Sequence, residues 1–388
     1  MPRSGGSERA GRYVRQPGGF VAFHPAPYPP GDIRIDAGLL DLTSRAQHEL
    51  GRLVGAAEIL PNPDLFVMMY VRREAVLSSQ IEGTQASLMD VLEYEASQRR
   101  GERRLDVQEI SNYVGALRYG LRRVRTLPLS LRLLREIHAR LMHGVRGGEP
   151  EKTPVGFRRS QNWVGGPSPA TARFVPPPVP EMHQALAAFE TALHAESPYP
   201  LLLRIGLAHA QFQTIHPFLD GNGRMGRLLI SFILCESRVM AEPLLYLSVF
   251  FKEHRDEYYA RLQAVRDAGD WEGWLAFFLE GVATVAREAT DTARRIMKLR
   301  ETTRGHVSQS LGRRSGAALR LLDALFEQPV VSVAVVQRIL GYSQPAAAAM
   351  VSALEKAQVL VEITGRRRDR VFEFRPYLRL FSDRSARE

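Results

Sequence analysis

Cysteine is nearly absent: Cys235 is the single one in 388 residues. No disulfide can form within the chain, and its place in the apolar run LLISFILCES reads as a buried, inert thiol rather than a nucleophile or ligand. Long apolar runs are missing too, since none approaches the ~20 residues that span a bilayer. The amino-terminal MPRSGGSERAGRYVRQPGGF is basic and glycine-rich but lacks the apolar centre of a secretion signal. A cytoplasmic protein, away from membranes, is the expectation. No Gly-Lys-Ser/Thr occurs to make a Walker loop, and no H-E-x-x-H to make a zinc protease.

What is present describes a soluble globular chain: 45% hydrophobic and 24% charged residues. Its length suggests about two or three domains. The net charge of +10 favours polyanionic partners such as nucleotides or nucleic acid without saying which. Residues 1–35, rich in Gly, Pro and Arg, read as an irregular arm. From Leu39 to about 145 apolar residues recur at helical spacing, with a long helix expected from Pro63 to a stop at Gly83. Thr84 or Ser87 can cap the next helix, with Asp90 three residues after Ser87 completing a capping-box pattern. Residues 148–180 break the pattern, and FRRSQNWVGG reads as a short hairpin before a proline run. Helices resume to about 304. From 305 to 388 the order is helix, helix, helix and two strand-like runs joined by the basic turn GRRRDR, which looks like a winged helix-turn-helix.

The stretch HPFLDGNGRMGR, residues 216–227, lies between two apolar helices and so is a tight loop entering a helix amino terminus. Gly221 and Gly223 let successive N–H groups turn inward, and the helix end adds positive potential; together these make an anion site suited to phosphate. Arg224 and Arg227, three apart, share a helical face and carry forked donors for phosphate oxygens. Asp220 is a hard oxygen ligand for Mg²⁺. His216 is the group able to accept a proton near neutral pH. Each feature alone has an ordinary explanation as a turn, a solvated arginine or a structural histidine; in one loop they are harder to explain that way. His209 could join His216 as a metal ligand, but no third histidine or cysteine stands at a useful spacing.

This stretch resembles the signature of the Fic family, H-P-F-x-D/N-G-N-G-R-x-x-R, matching every specified position. The resemblance implies a mainly α fold: a Fic-type helical bundle with a β-hairpin flap, plus a carboxy-terminal winged helix-turn-helix domain. The divisions are then a 1–35 arm, a 36–145 helical region carrying an inhibitory helix, a 146–304 catalytic core with the flap, and the 305–388 domain. It further implies transfer of AMP from ATP to a Ser, Thr or Tyr hydroxyl of a target protein. His216 would take the hydroxyl proton and Asp220 would hold Mg²⁺. Gly221, Asn222 and Gly223 would cradle the phosphates, and Arg224 and Arg227 would steady the triphosphate, Arg227 at its γ end. The flap would align the target by strand addition. Tyr246 and Tyr258 or Tyr259 are candidates, by analogy, for packing the base. SSQIEG at 78–83 is similar to the family's inhibitory motif, with Ser78 and Glu82 on one helical face, Gly83 ending the helix, and Glu82 expected to pair with Arg227 in place of the γ-phosphate. Removal of AMP by the same site, and a nucleotide-sensing DNA-binding regulator, stay open. So do DNA or another protein as partner of the carboxy-terminal domain, and a homodimer.

Overall fold

The computed structural model describes residues 7–58, 64–97, 104–149, 155–240 and 242–381. Two strands come first, β1 (Gly11–Arg15) and β2 (Val21–Pro25), paired antiparallel with Tyr13 opposite Phe23. The described part of the arm expected to be irregular is thus a hairpin: GRYVR and VAFHP carry the aromatic and β-branched residues that suit strands, and QPGGF turns between them. Arg9 ties it to the body through Glu272 at 2.7 Å and Asp32 at 2.7 Å.

Helices follow: α1 (Ala37–Glu58), α2 (Asp64–Ile81), α3 (Leu88–Ser97), α4 (Arg104–Val124) and α5 (Leu131–Leu141). Pro63, the expected start of the long helix, lies outside the described residues. Ser87 and Asp90 make the reciprocal cap of α3, Ser87 N–H donating to Asp90 Oδ2 at 2.7 Å and Asp90 N–H to Ser87 Oγ at 3.1 Å. After a long connection come α6 (Val179–His194), α7 (Leu201–Ile215), α8 (Asn222–Glu236), α9 (Ser248–Glu253), α10 (Arg255–Ala268) and α11 (Trp271–Leu311). Helices α7 and α8 are buried on nearly every side, largely through apolar residues, and this makes them the centre of the bundle. The loop between them is therefore held on both sides by the most rigid part of the fold.

The hairpin expected at FRRSQNWVGG is reduced to one bridge, in which Val164 and Phe174 exchange backbone hydrogen bonds of 2.8 and 3.1 Å. Residues 157–163 before it run without regular structure, because Arg158 and Asn162 are turned to the 216–227 loop instead of a neighbouring strand.

Helix α11 has 41 residues and passes unbroken through 304 and 305, the position where a new domain was expected to begin. Beyond it lie α12 (Ser315–Glu327), β3 (Val330–Ser332), α13 (Val333–Leu340), α14 (Gln344–Lys356), β4 (Val361–Glu362), β5 (Val371–Glu373) and α15 (Arg375–Leu378). The sheet order is β3-β5-β4, all antiparallel. This unit sits directly on α2 and α3. Arg72 of α2 donates to the Glu327 carbonyl at 2.9 Å and pairs with Glu95 at 2.8 Å, and Phe381 meets the Tyr70 ring edge-on at 5.3 Å. Helix α2 is consequently packed between the central helices and the carboxy-terminal unit.

Candidate active site

Helix α7 ends at His216, whose backbone is left-handed at φ 50° and ψ 58°. That conformation is costly for a residue with a Cβ and is doubly constrained by the following Pro217. Three bonds from the 155–163 segment hold it. Arg158 Nε donates to the His216 carbonyl at 3.1 Å, Asn162 Nδ2 to the same carbonyl at 3.4 Å, and the Arg158 N–H to the Pro217 carbonyl at 2.9 Å. Arg158 is fully buried. Neither residue was singled out in the sequence, since a basic and an amide residue in a loop carry no signal of their own.

The His216 ring faces the Gln213 carbonyl through Nδ1 at 3.3 Å. A carbonyl only accepts, so Nδ1 carries the proton and Nε2 is left as the acceptor. Burial pulls the imidazole down to about 4, with Arg266 and Arg158 adding to the effect against the Gln213 carbonyl and Glu82. At neutral pH the ring is uncharged and able to take a proton. His209 is a different case: it is buried, bonded at 2.9 Å to both the Gly226 carbonyl and Tyr258 Oη, and stacked on Trp274, so it is a core histidine.

Within the loop Asn222 closes the turn on itself. Its Oδ1 accepts from the Phe218 N–H at 2.9 Å and its Nδ2 donates to the Phe218 carbonyl at 2.8 Å. Its side chain is thus occupied, and the contribution to an anion is left to backbone N–H groups in the first turn of α8, which have no intrahelical carbonyl to meet. Gly221, at φ 78°, takes the left-handed step before that turn. The Phe218 ring is stacked on His138 at 3.6 Å, and His138 Nε2 also meets the Asp220 carbonyl at 2.9 Å. Asp220 itself is half-exposed at the mouth.

Arg227 is 1% exposed and turned to α2. Its Nη2 pairs with Glu82 Oε1 at 2.8 Å and with the Ser78 carbonyl at 2.9 Å, and its Nε donates to Ser78 Oγ at 2.8 Å. Burial resists ionisation of Glu82, but Arg227, followed by Arg224 and His216, outweighs it and holds the carboxyl below its ordinary range. The carboxylate lies over Gly223, where an added Cβ would be 2.0 Å from Oε1. Glu82 thus stands at the helix end that suits an anion. Arg224 is buried between two carboxylates at 3.8 Å, Glu109 Oε2 and Asp220 Oδ1, while its Nε and Nη1 make no hydrogen bond. Glu109 also accepts from Thr84 Oγ1 at 2.8 Å, just past Gly83. It is a further residue that sequence reasoning missed.

Two of the residues expected to pack the base are buried. Tyr246 is buried and lines a cavity with Tyr70, Glu74 and Val285 that includes no residue of the 216–227 loop. Tyr258 is 1% exposed, bonded to His209 and stacked on Phe251 at 4.5 Å. Tyr246 belongs to the apolar core, which aromatic residues at helical spacing usually fill, while Tyr258 links that core to the charged pair, within reach of Arg227 and Glu82. Tyr259, half-buried beside Arg255, is the tyrosine within electrostatic reach of Glu82 and Arg227 that keeps a solvent face.

Residues 40–122 match the Fic/DOC family N-terminal region and residues 128–234 match the Fic/DOC family. Over 157 residues the chain is 33% identical to a protein adenylyltransferase Fic of Culex quinquefasciatus and 32% identical to one of Aedes aegypti. Each alignment covers 39% of this chain and 27% of the relative, so the chain spans about a quarter of the length of these curated relatives. The crystal structure of a Fic family protein from Desulfovibrio desulfuricans G20 has the same fold, with a TM-score of 0.58 at 18% identity over 88% of this chain and 97% of the other.

Proposed function

Since the chain belongs to the Fic/DOC family in both its N-terminal region and its Fic domain, we propose that it is a protein adenylyltransferase whose resting state is shut by Glu82. The observation that carries this is the Glu82–Arg227 pair at 2.8 Å, set over Gly223 at the amino end of α8 beside a neutral His216. In the reaction a Ser, Thr or Tyr hydroxyl of a target protein gives its proton to His216 Nε2. Its oxygen forms a bond to the α-phosphorus of ATP as the bond to pyrophosphate breaks. Backbone N–H groups of the first α8 turn and the unused donors of Arg224 hold the phosphates, and Arg227 takes the γ end once Glu82 has left it.

Mg²⁺ fits the residues present. Asp220 offers one partly exposed carboxylate, and Gly147 keeps the space beside it clear, where a Cβ would fall 2.1 Å from Oδ2. Among the described residues no three His, Cys, Asp or Glu side chains converge, as suits an ion held by one carboxylate, waters and substrate phosphates. When bound, the ion would be held by Asp220 and would neutralise negative charge on the substrate phosphates.

A second reading is removal of AMP from a protein, with Glu82 orienting the water. It is supported by Glu82 Oε2, which accepts no hydrogen bond among the described residues. We read the unit that follows α11, residues 315–381, as a winged helix-turn-helix in which the exposed Arg366, Arg367 and Arg368 meet DNA or another protein. The deciding experiment incubates wild type and Glu82→Gly with labelled ATP, CTP, GTP and UTP and follows label on protein. Label from ATP, stronger in the variant, is the expected result; no label from any nucleotide in either protein contradicts the proposal.

A further inference from the structure

The segment 155–178 contains Arg158, Arg159 and Arg173 and no aspartate, glutamate or lysine. Its residues alternate in direction, as an extended chain requires. Arg158 and Asn162 turn inward and grip the carbonyls of His216 and Phe218. Arg159 and Trp163, the next residues along, turn outward to solvent, as does Arg173 on the return. Trp163, at 39%, is the one exposed Trp, Phe or Tyr side chain among the described residues. Its indole is fixed by an Nε1 bond to the Gly166 carbonyl at 3.1 Å, so the ring is preorganised by its own loop while more than a third of the residue stays exposed.

The backbone here has one used edge and one open edge. Val164 exchanges both bonds with Phe174, and the Val175 carbonyl beyond accepts from Phe23 of β2 at 2.9 Å. The amino-terminal hairpin thus backs this segment. Trp163, adjacent to a bonded pair, directs its N–H and C=O to the other side, where they make no hydrogen bond among the described residues. Asn162, its immediate neighbour, touches the His216 carbonyl, so this open edge lies next to the proton acceptor.

An exposed aromatic, two exposed arginines, no acid and an open edge define the chemistry of a partner. Resting on the transfer reading, the geometry points to a target segment that is acidic and carries a large apolar side chain close to the modified hydroxyl. Trp163 receives the apolar side chain, and Arg159 with Arg173 faces the carboxylates. Backbone pairing supplies alignment and these three side chains supply selection.

The test uses full-length Glu82→Gly, labelled ATP and three peptide pools. Each peptide has a central Ser, Thr or Tyr and flanks drawn from Glu, Phe and Gly, from Lys, Phe and Gly, or from Glu, Ala and Gly. The first pool should be labelled about fivefold to twentyfold faster than the Lys pool, and about tenfold faster than the Ala pool. Arg159→Glu with Arg173→Glu should invert the charge preference. Trp163→Ala should erase the preference for Phe with ATP binding unchanged. Self-labelling with no preference among pools, or preferences that survive these variants, overturns the inference alone. ATP bound with no label on peptide or protein defeats the transfer reading and the inference with it.

Discussion

Glu82 Oε1 and Arg227 Nη2 are 2.8 Å apart across 145 residues of chain, and the same guanidinium is held by the Ser78 carbonyl and hydroxyl. The carboxylate just past the end of α2 thus holds a cation of α8 that a triphosphate would otherwise engage.

Glu82→Gly should raise labelling of the protein itself or of a target sharply. The double variant Glu82→Gly with His216→Ala should be silent, because the opened site still lacks its proton acceptor. Labelled ATP followed by gel autoradiography compares the two. Equal label in wild type and Glu82→Gly, with ATP shown to bind, would sink the brake.

His216→Ala alone, placed in the Glu82→Gly background, should lower transfer about 10²- to 10⁴-fold while ATP affinity changes little. The check is kcat against a calorimetric Kd for ATP.

The acid limb of the transfer profile should lie low. Burial holds His216 at about 4, with Arg266 and Arg158 on the lowering side and Glu82 on the raising side. Unfolded histidine titrates near ~6.5. Between these values the unfolded chain binds the proton and the folded one does not. The contribution to stability is therefore full above the unfolded value and is lost as pH falls toward 4. Activity of Glu82→Gly should persist below pH ~6, measured as kcat/KM from pH 4 to 8. A limb centred on the ordinary histidine value would contradict the buried, neutral ring.

Asn162→Ala should lower kcat by about tenfold or more without weakening ATP binding, since it frees the strained His216–Pro217 turn and touches no phosphate group. Arg158→Ala removes bonds to the His216, Ser160 and Pro177 carbonyls and should cost about 2–4 kcal/mol of stability, read from urea unfolding.

Replacing Arg366, Arg367 and Arg368 together by Ala should reduce binding of the full chain to duplex DNA, and wild-type binding should fall steeply with salt. DNA binding that is absent from wild type at low salt leaves a protein-docking surface as the role of this basic turn.

The loop 216–227 and the Ser78–Glu82 spacing were legible because each packs several chemical types into a few residues whose order alone implies a shared face or turn. The Ser87–Asp90 cap was legible for the same local reason. The amino-terminal hairpin was not, because its Gly, Pro and Arg content masked two short strands that are fixed by contacts with residues more than 150 positions away, such as Phe23 with Val175. The burial of Tyr246 and Tyr258 was not legible, because an aromatic at helical spacing reads alike whether it faces a core or a ligand. Arg158, Asn162 and Glu109 gave no warning, since their importance lies wholly in the carbonyls, hydroxyl and guanidinium that folding brings to them.

The placement of α2 between two neighbours bears on how the protein can be cut. A fragment ending after α11 would bare Tyr70 and strip Arg72 of the Glu327 carbonyl, while one beginning at α4 would leave Arg227 without Ser78 and Glu82. Neither truncation is a neutral trimming. Each would change the resting position of the latch being measured, so activities from shortened forms report a different ground state. Inhibition here is a property of the assembled chain rather than of a detachable plug.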